Sequence, residues 1–467
     1  MSATASSARR AEDAAAARAH GSRWALWASL LGMFVITLDA LIVNVALPTI
    51  ARELGGGGTG QQWVLDGYTL MFAALLLSTG SLSDRIGARR AFTTGLVVFI
   101  AASALCGFAP SLPVLVAARF VQGTGAAVML PATLALIREA FPDAAERTRA
   151  IAVWAVGGGV ASAAGPVLGG ALCLANWRLI FFINLPVGLV TLFLLSRAAR
   201  SPRRPGPFDW TGQVTAILAM AGLTYGVIEG GADGFTQARV VAALALAAVS
   251  LVAFIAKQAR GSHPMVPLGL FTNRAVLVSL AGGFAFCVAF YGLTYLLSLY
   301  FQDLRGLSPF RAGLVFLPMT FVTAGVNLLA PKVAARFGLR VAIGGGLACM
   351  AVGLLALAAV PASTPVAVMA LLMIPVGVGG SMAVPSLTAL LLQSVPAAQA
   401  GMASGVLNTF RQLGGALAVA VYGILIAGGG GFLSGMRTCL LISAAVLIAT
   451  CIGALAKRSR STALAEA

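Results

Sequence analysis

The sequence predicts an all-α polytopic membrane protein made of two related halves, and three observations carry that expectation. Hydrophobic residues are 59% of the 467-residue chain and charged residues 10%, whereas soluble domains carry roughly 25% charged residues. The apolar residues fall into about 14 runs, each near the roughly 20 residues needed to cross a hydrocarbon core of about 30 Å. A basic motif also occurs twice: Arg85, Ile86, Gly87, Ala88 and Arg89 are echoed by Arg336, Phe337, Gly338, Leu339 and Arg340, each between two apolar runs. At nearly the same offset, Pro131 and Pro142 bracket an apolar stretch as Pro385 and Pro396 do. Duplication of this kind marks paired helical bundles that rock about a site held between them.

In chain order, residues 1–23 form an Ala-, Ser- and Arg-rich tail, expected to be disordered and cytoplasmic. The apolar run after it is too long for a cleaved signal segment, and Glu12 and Asp13 oppose a transit peptide. Six spans follow at approximately 24–50, 63–82, 91–109, 112–137, 150–174 and 178–197, an N-terminal six-helix bundle over 24–197. Two extra spans near 212–230 and 239–258 occupy a linker region, 198–274. Six more, at approximately 275–302, 312–331, 340–360, 364–393, 402–428 and 434–456, form a C-terminal six-helix bundle over 275–456, before a cytoplasmic tail, 457–467.

The net charge is +17, from 31 basic and 14 acidic residues. Both tails and the loops on one side hold about 23 of the basic residues and the opposite loops about 6, which places both termini in the cytoplasm. No basic stripe interleaves with stacking aromatics, so nucleic acid is not an expected partner; the bilayer is. Trp24, Trp27, Trp63, Trp177 and Trp210 fall near span ends, as an interfacial belt would, while Trp154 reads as apolar filler. The six cysteines are scattered singly and read as buried free thiols. The two histidines, His20 and His263, lie outside the spans, so no metal site or His-based catalytic site can be assembled, and no enzyme is expected. A phosphate-cradling Gly-rich loop with Lys is also missing from the sequence, which disfavours an ATP-driven pump.

The polar residues inside apolar spans are the candidates for function. Asp39, amid Phe34, Val35, Ile36, Leu38, Leu41 and Ile42, costs roughly 2.5–3.5 kcal/mol on insertion scales, which a partner or protonation would offset. It is the leading proton-coupling candidate; the alternative is a hydrogen bond to a neighbouring helix, with Asn44 and Pro48 shaping a bend. Asp66 is either a second titrating group or an interfacial residue touching water. Arg119 needs a carboxylate or a wet cavity. Pairing with Asp39 in one conformation and release in another would couple a proton to the conformational change; a static salt bridge is the competing reading. Gly123, Gly125, Ala126 and Ala127 beside it permit close helix approach. So do Gly157, Gly158, Gly159, Gly165, Gly169 and Gly170 in the fifth span, where Pro166 is expected to kink the helix.

Asn44, Gln122, Asn408, Arg411 and Gln412 are the candidate lining of a central cavity, and Arg411 has no acidic neighbour in sequence to neutralise it. Glu229 and Asp233, at the outer end of the seventh span, read as solvated loop carboxylates or an attraction for cations. In the first basic loop, Asp84 with Arg85, Arg89 and Arg90 can form a charge latch to neighbouring helix ends, and Gly80, Asp84 and Gly87 suit a tight turn.

Taken together, these residues resemble the major facilitator superfamily, and within it the 14-span drug:proton antiporters of the EmrB/QacA type. Leu38, Asp39, Val43, Asn44, Val45, Ala46, Leu47 and Pro48 are similar to the first-span motif, and Gly80, Asp84, Arg85, Gly87, Arg89 and Arg90 to the loop motif. Arg119, Gln122, Gly123 and Gly125 resemble the fourth-span motif. The antiporter motif of the fifth span is matched by Gly157, Gly165, Pro166, Gly169 and Gly170. Trp177, Arg178, Phe181, Asn184, Pro186 and Gly188, with Asn408, Arg411, Gln412, Leu413 and Gly414, look like later signatures. The resemblance implies a proton-coupled exporter of lipophilic, often cationic drugs or antibiotics across a bacterial cytoplasmic membrane, working by alternating access. The alternatives are an exporter of a single host-made antibiotic or metabolite, or an importer of the same fold. It implies no cofactor, only a proton gradient: one charge crossing roughly 150 mV gains about 3.5 kcal/mol, enough for a several-hundredfold solute gradient at about 1.4 kcal/mol per tenfold.

Overall fold

The computed structural model describes residues 2–203, 209–261, 264–396, 399–428 and 430–455. Arg204, Pro205 and Pro207 of the linker, His263 and the tail 457–467 lie outside the described residues, as do the side chains of His20 and Asp84. The first half comprises α1 (Ser2–Leu54), α2 (Gly57–Ile86), α3 (Ala88–Gly107), α4 (Leu112–Ala140), α5 (Ala144–Ala175), α6 (Leu179–Phe182) and α7 (Asn184–Arg197). A hairpin of α8 (Trp210–Asp233) and α9 (Ala238–Arg260) follows. The second half comprises α10 (Arg274–Leu299), α11 (Pro309–Val315), α12 (Leu317–Phe337), α13 (Leu339–Ala359), α14 (Val366–Leu372), α15 (Ile374–Gln393), α16 (Ala400–Ala427) and α17 (Phe432–Leu455). Among the described residues 13 helical spans are long and apolar enough to cross a membrane, and the pair α11 and α12, bent by about 40°, supplies a fourteenth.

Three predicted spans are interrupted, and each interruption has a proline just after it. α6 yields to α7 ahead of Pro186, α11 to α12 ahead of Pro318, and α14 to α15 ahead of Pro375. Proline lacks the N–H that would bond the carbonyl four residues back, so the ladder fails there. α5, by contrast, runs as one helix through Pro166. The amino-terminal tail differs from the expectation of disorder: α1 begins at Ser2, and the run Ala14, Ala15, Ala16 and Ala17 is the strongest helix-forming composition available.

The repeated basic motif has a shared backbone form. α2 passes to α3 through Gly87 alone (φ 90, ψ 134), and α12 passes to α13 through Gly338 alone (φ 87, ψ 154). Both conformations are open only to glycine. This corrects the expected turn, because Gly80 and Asp84 are inside α2 and a single glycine suffices as the link. These motifs, with Arg85, Arg89, Arg336 and Arg340, mark one end of the helices, the basic end; the α1–α2 link at Gly55 and Gly56 marks the far end.

The halves meet towards the far end through backbone-close contacts. A Cβ on Gly170 of α5 would come within 2.6 Å of the Pro309 carbonyl oxygen and the Phe310 Cα, and one on Gly313 within 2.2 Å of the Pro166 carbonyl oxygen. Gln62 of α2 donates to the carbonyls of Val419 and Ala420 in α16 at 3.2 and 3.0 Å, and Ser298 of α10 donates to the Asn44 carbonyl at 2.8 Å. Trp177 departs from the interfacial belt: it is fully buried and donates to Glu53 at 2.7 Å.

Gly87→Ala is expected to lower stability by about 1–3 kcal/mol, the cost of a glycine-only backbone region, since its Cβ would also sit 3.1 Å from the Ser201 carbonyl oxygen. Gly80→Ala, with open space around its Cβ in mid-helix, should be neutral or stabilising by about 0.5–1 kcal/mol. Thermal unfolding of both variants in detergent checks the contrast, and the reverse order would refute it.

Candidate functional site

Asp39, near the middle of the membrane-crossing part of α1 (Gly21–Leu54), is wholly enclosed and meets Arg119 of α4, whose Nη1 lies 2.5 Å from Asp39 Oδ2 with the two side chains 0% and 1% exposed. The other carboxylate oxygen accepts from Gln122 Nε2 at 2.8 Å and Asn184 Nδ2 at 2.9 Å. Arg119 Nε donates to the Val64 carbonyl of α2 at 3.0 Å, and its Nη1 also donates to Gln122 Oε1 at 2.8 Å. Ser103 of α3 accepts from both Gln122 and Asn184 and donates to the Phe181 carbonyl. The guanidinium carbon stands 4.4 Å from the Tyr68 ring centre, within cation–π range. Five elements of the first half thus converge on one buried ion pair.

Sequence reasoning placed Gln122 in the substrate cavity; the structure instead puts it inside this network, three residues along α4 from Arg119 and on its face. Ser103 carries no signal in the sequence, and Asn184 stands out there only as part of a motif. An Asn one residue past a span break, at depth in an apolar region, was the available signal for the latter.

Asp66 lies one helical turn from Gln62 in α2 and is 0% exposed. Neither of its carboxylate oxygens has a hydrogen-bond partner. The reading of Asp66 as an interfacial residue touching water is therefore wrong: the packing of the far end encloses it. The Tyr295 hydroxyl of α10, in the opposite half, is likewise buried without a partner.

Between the halves runs a narrow cleft lined by Asn44 and Tyr68 on one side and by Tyr291, Gln412 and Gly415 on the other. Asn44 turns its amide back onto its own helix, donating to Ala40 and Leu41 carbonyls. Asn408 and Arg411 do not belong to the narrow part: Asn408 Nδ2 donates to the Ser404 carbonyl and its Oδ1 accepts from Arg411 Nη1 at 3.5 Å. A larger cavity, of about 500 Å³, opens off this axis at the basic end beside Arg274 and Arg340.

The gating candidates divide between packing and latching. Cβ atoms on Gly157, Gly165 and Gly169 would meet Leu30, Leu41 and Ile42 of α1 at 2.5, 3.1 and 2.7 Å, and Gly170 faces the opposite half. Gly159 has nothing within 4 Å and is not a contact residue. Arg89 makes the expected contact with a neighbouring helix end: its Nη2 donates to the Ser196 carbonyl in the last turn of α7 at 3.0 Å, and its backbone N–H donates to the Ser201 hydroxyl just beyond that helix at 2.9 Å. Arg90 is exposed and Arg85 half-buried. Glu229, read as a loop carboxylate, is half-buried and accepts from Trp63 Nε1 at 2.8 Å, while Asp233 pairs with Arg239.

Two helical halves around a cleft, with an ion pair buried in one of them, define a polytopic membrane protein of the transporter type. The chain belongs to the Major Facilitator Superfamily, whose family model matches residues 29–419. It is 40% identical over 335 residues to multidrug resistance protein Stp of Mycobacterium tuberculosis, covering 71% of this chain and 62% of that protein. It is 34% identical over 397 residues to the methylenomycin A resistance protein of Streptomyces coelicolor, covering 85% of this chain and 84% of that one. Among solved structures, a POT family transporter in complex with 5-aminolevulinic acid superposes with a TM-score of 0.70 at 14% identity, covering 92% of this chain and 94% of that one.

Removing one partner of the buried pair strands the other. Arg119→Gln is expected to cost about 3–5 kcal/mol, and the Asp39→Asn/Arg119→Gln double variant to be more stable than Arg119→Gln alone. Denaturation of the singles and the double in detergent measures the coupling; strictly additive losses would show that the two charges do not depend on each other.

Proposed function

We propose that the chain is a proton-coupled exporter of lipophilic drugs or antibiotics, working by alternating access in the cytoplasmic membrane of a bacterium with both termini in the cytoplasm. The observation that supports this best is the contrast between its two intramembrane carboxylates. Asp39 is held by three donors, one of them a cation. Asp66 is enclosed with none, so this conformation accommodates it only as the neutral acid, because an unpaired buried carboxylate costs several kcal/mol.

That asymmetry supports an antiport cycle. When the far end opens, Asp66 is wetted and can exchange its proton; when it closes, the carboxyl has to be neutral. The far end therefore closes after substrate has left and a proton has been taken up, and the enclosed state is crossed with Asp66 neutral; once the basic end opens far enough for water to reach Asp66 from the cytoplasmic side, the carboxyl can ionise and the proton leaves inside. Asp39 with Arg119 then acts as the charge pair whose geometry senses the change. The names of the relatives, a multidrug resistance protein and an antibiotic resistance protein, support export of drugs over import of nutrients. The methylenomycin A resistance protein, which aligns over most of both chains, favours a second reading in which a single antibiotic is the substrate.

Asp66→Asn keeps the shape of the neutral acid and removes its proton. In proteoliposomes this variant is expected to lose uphill export driven by a pH gradient while retaining downhill exchange of the same compound. Wild-type uphill export by Asp66→Asn would contradict the assignment.

A further inference from the structure

Each half of the molecule carries one arginine deep in an apolar helix, and the two are treated differently. Arg119 is neutralised by Asp39. Arg411 of α16 is half-buried and has no carboxylate: its Nε is buried without a partner, and Nη1 reaches only Asn408 Oδ1 at 3.5 Å. The Cys287 thiol of α10 is the other polar group in reach. A guanidinium offers five N–H donors in a planar fork, and a cation held partly out of water without a counter-charge is unfavourable. Among the described residues no carboxylate neutralises Arg411, and the contacts with Asn408, Cys287 and the Phe286 ring supply no counter-charge.

Among the described residues, conversely, neither carboxylate deep in the spans is open to a cation in this conformation. Both oxygens of Asp39 are taken, and Asp66 is sealed at 0% exposure on the far side of the cleft. Beside Arg411 stands an aromatic wall on α10. The guanidinium carbon is 5.6 Å from the Phe286 ring centre; Phe286 stacks on Phe290 with centroids 5.5 Å apart and planes at 17°, and Phe290 meets Tyr291 edge-on at 5.8 Å. All three rings are half-buried, whereas Cys287, Val288 and Ala289 between them are buried. Tyr291 and Gln412, the latter next to Arg411 in the chain, line the cleft.

We propose that Arg411 is the anchor for an acidic group on the substrate, so that this chain takes organic acids with a flat apolar body rather than lipophilic cations. The carboxylate seats on the guanidinium fork, a geometry that arginine matches in a bidentate manner, and the body lies along Phe286, Phe290 and Tyr291. The inference rests on the cleft being the substrate path, as in the proposed function, and it reverses the charge that the family resemblance implies for many substrates.

The test uses three probes with one naphthalene body: 2-naphthoate, 2-naphthamide and 2-naphthylmethylammonium. Their binding to the full chain in nanodiscs is followed by naphthalene fluorescence anisotropy. Wild type is expected to bind the acid at least about tenfold more tightly than the amide, as a charge-assisted hydrogen bond allows, with the ammonium weakest. Arg411→Gln should abolish that preference, and Arg411→Lys, which restores the charge without the fork, should recover part of it. Equal or tighter binding of the ammonium, a preference that survives Arg411→Gln, or no binding of 2-naphthoate would each overturn the inference. Uptake of the same probes into inverted vesicles under a pH gradient separates the two readings. Pumping of the ammonium alone keeps export and rejects the anchor; the predicted binding order without any pumping keeps the anchor and rejects export.

Discussion

The buried pair of Asp39 and Arg119 is the constraint on which the first half is organised. Two charges taken out of water are tolerable only with good geometry and with their remaining hydrogen-bonding capacity met. Here α1 supplies the acid, α4 the base and Gln122, α3 the Ser103 hydroxyl, α7 the Asn184 amide, and α2 a backbone carbonyl. No one of these helices can rotate or slide without stranding a polar group in an apolar surrounding. The pair in consequence ties these five helices of the first half to one another. Among its described residues the second half has no equivalent: its buried polar contacts are mostly single side-chain bonds to backbone, such as Ser381 to the Thr323 carbonyl, and Arg411 has no carboxylate partner.

Between these two bodies the contacts are of a kind that permits sliding. At Gly170, Gly313 and Gly423 one helix lies against the backbone or a single side chain of another, with little side-chain interdigitation to be undone. Small residues allow such approach and also allow it to be lost at modest cost. The α8–α9 hairpin bears on this seam. Gln213 of α8 donates to the Ala74 carbonyl of α2 and pairs with Ser78, and a Cβ at Gly231 would meet Ile424 of α16. The inserted helices therefore touch both halves where these move against each other, while α9 contacts chiefly α8 and presents Val249, Val252 and Ile255 outward.

Much of this was legible in the sequence, for reasons that differ by residue. Span number follows from hydropathy, and the Gly87 and Gly338 links from a repeated motif whose glycine is the one residue a positive φ requires. Asp39 and Arg119 stood out because a charge in an apolar run needs an explanation. What could not be read was rotation. In an all-apolar helix no amphipathic period says which face looks inward, so the sequence alone does not separate cavity from network for Gln122, enclosed from wet for Asp66, or buried from interfacial for Trp177. The span breaks were readable in principle, since Pro186, Pro318 and Pro375 each sit inside an apolar run, but similar prolines at Pro48 and Pro166 are carried within unbroken helices.

The energy scale connects these structural facts to a working cycle. On the proposed reading, closing the far end over an ionised Asp66 would cost several kcal/mol, while one proton crossing a potential of roughly 150 mV supplies about 3.5 kcal/mol. The two are of the same order, which is the condition for a gate to be controlled by the proton without being locked by it. Were the penalty much smaller, the far end would close on an unprotonated carboxyl and the gradient would leak. Were it much larger, the membrane potential could not drive the return. Asp66 is fully enclosed, with no hydrogen-bond partner on either carboxylate oxygen, and an enclosure that supplies neither a donor nor a counter-charge is what makes its ionisation expensive enough to hold the gate.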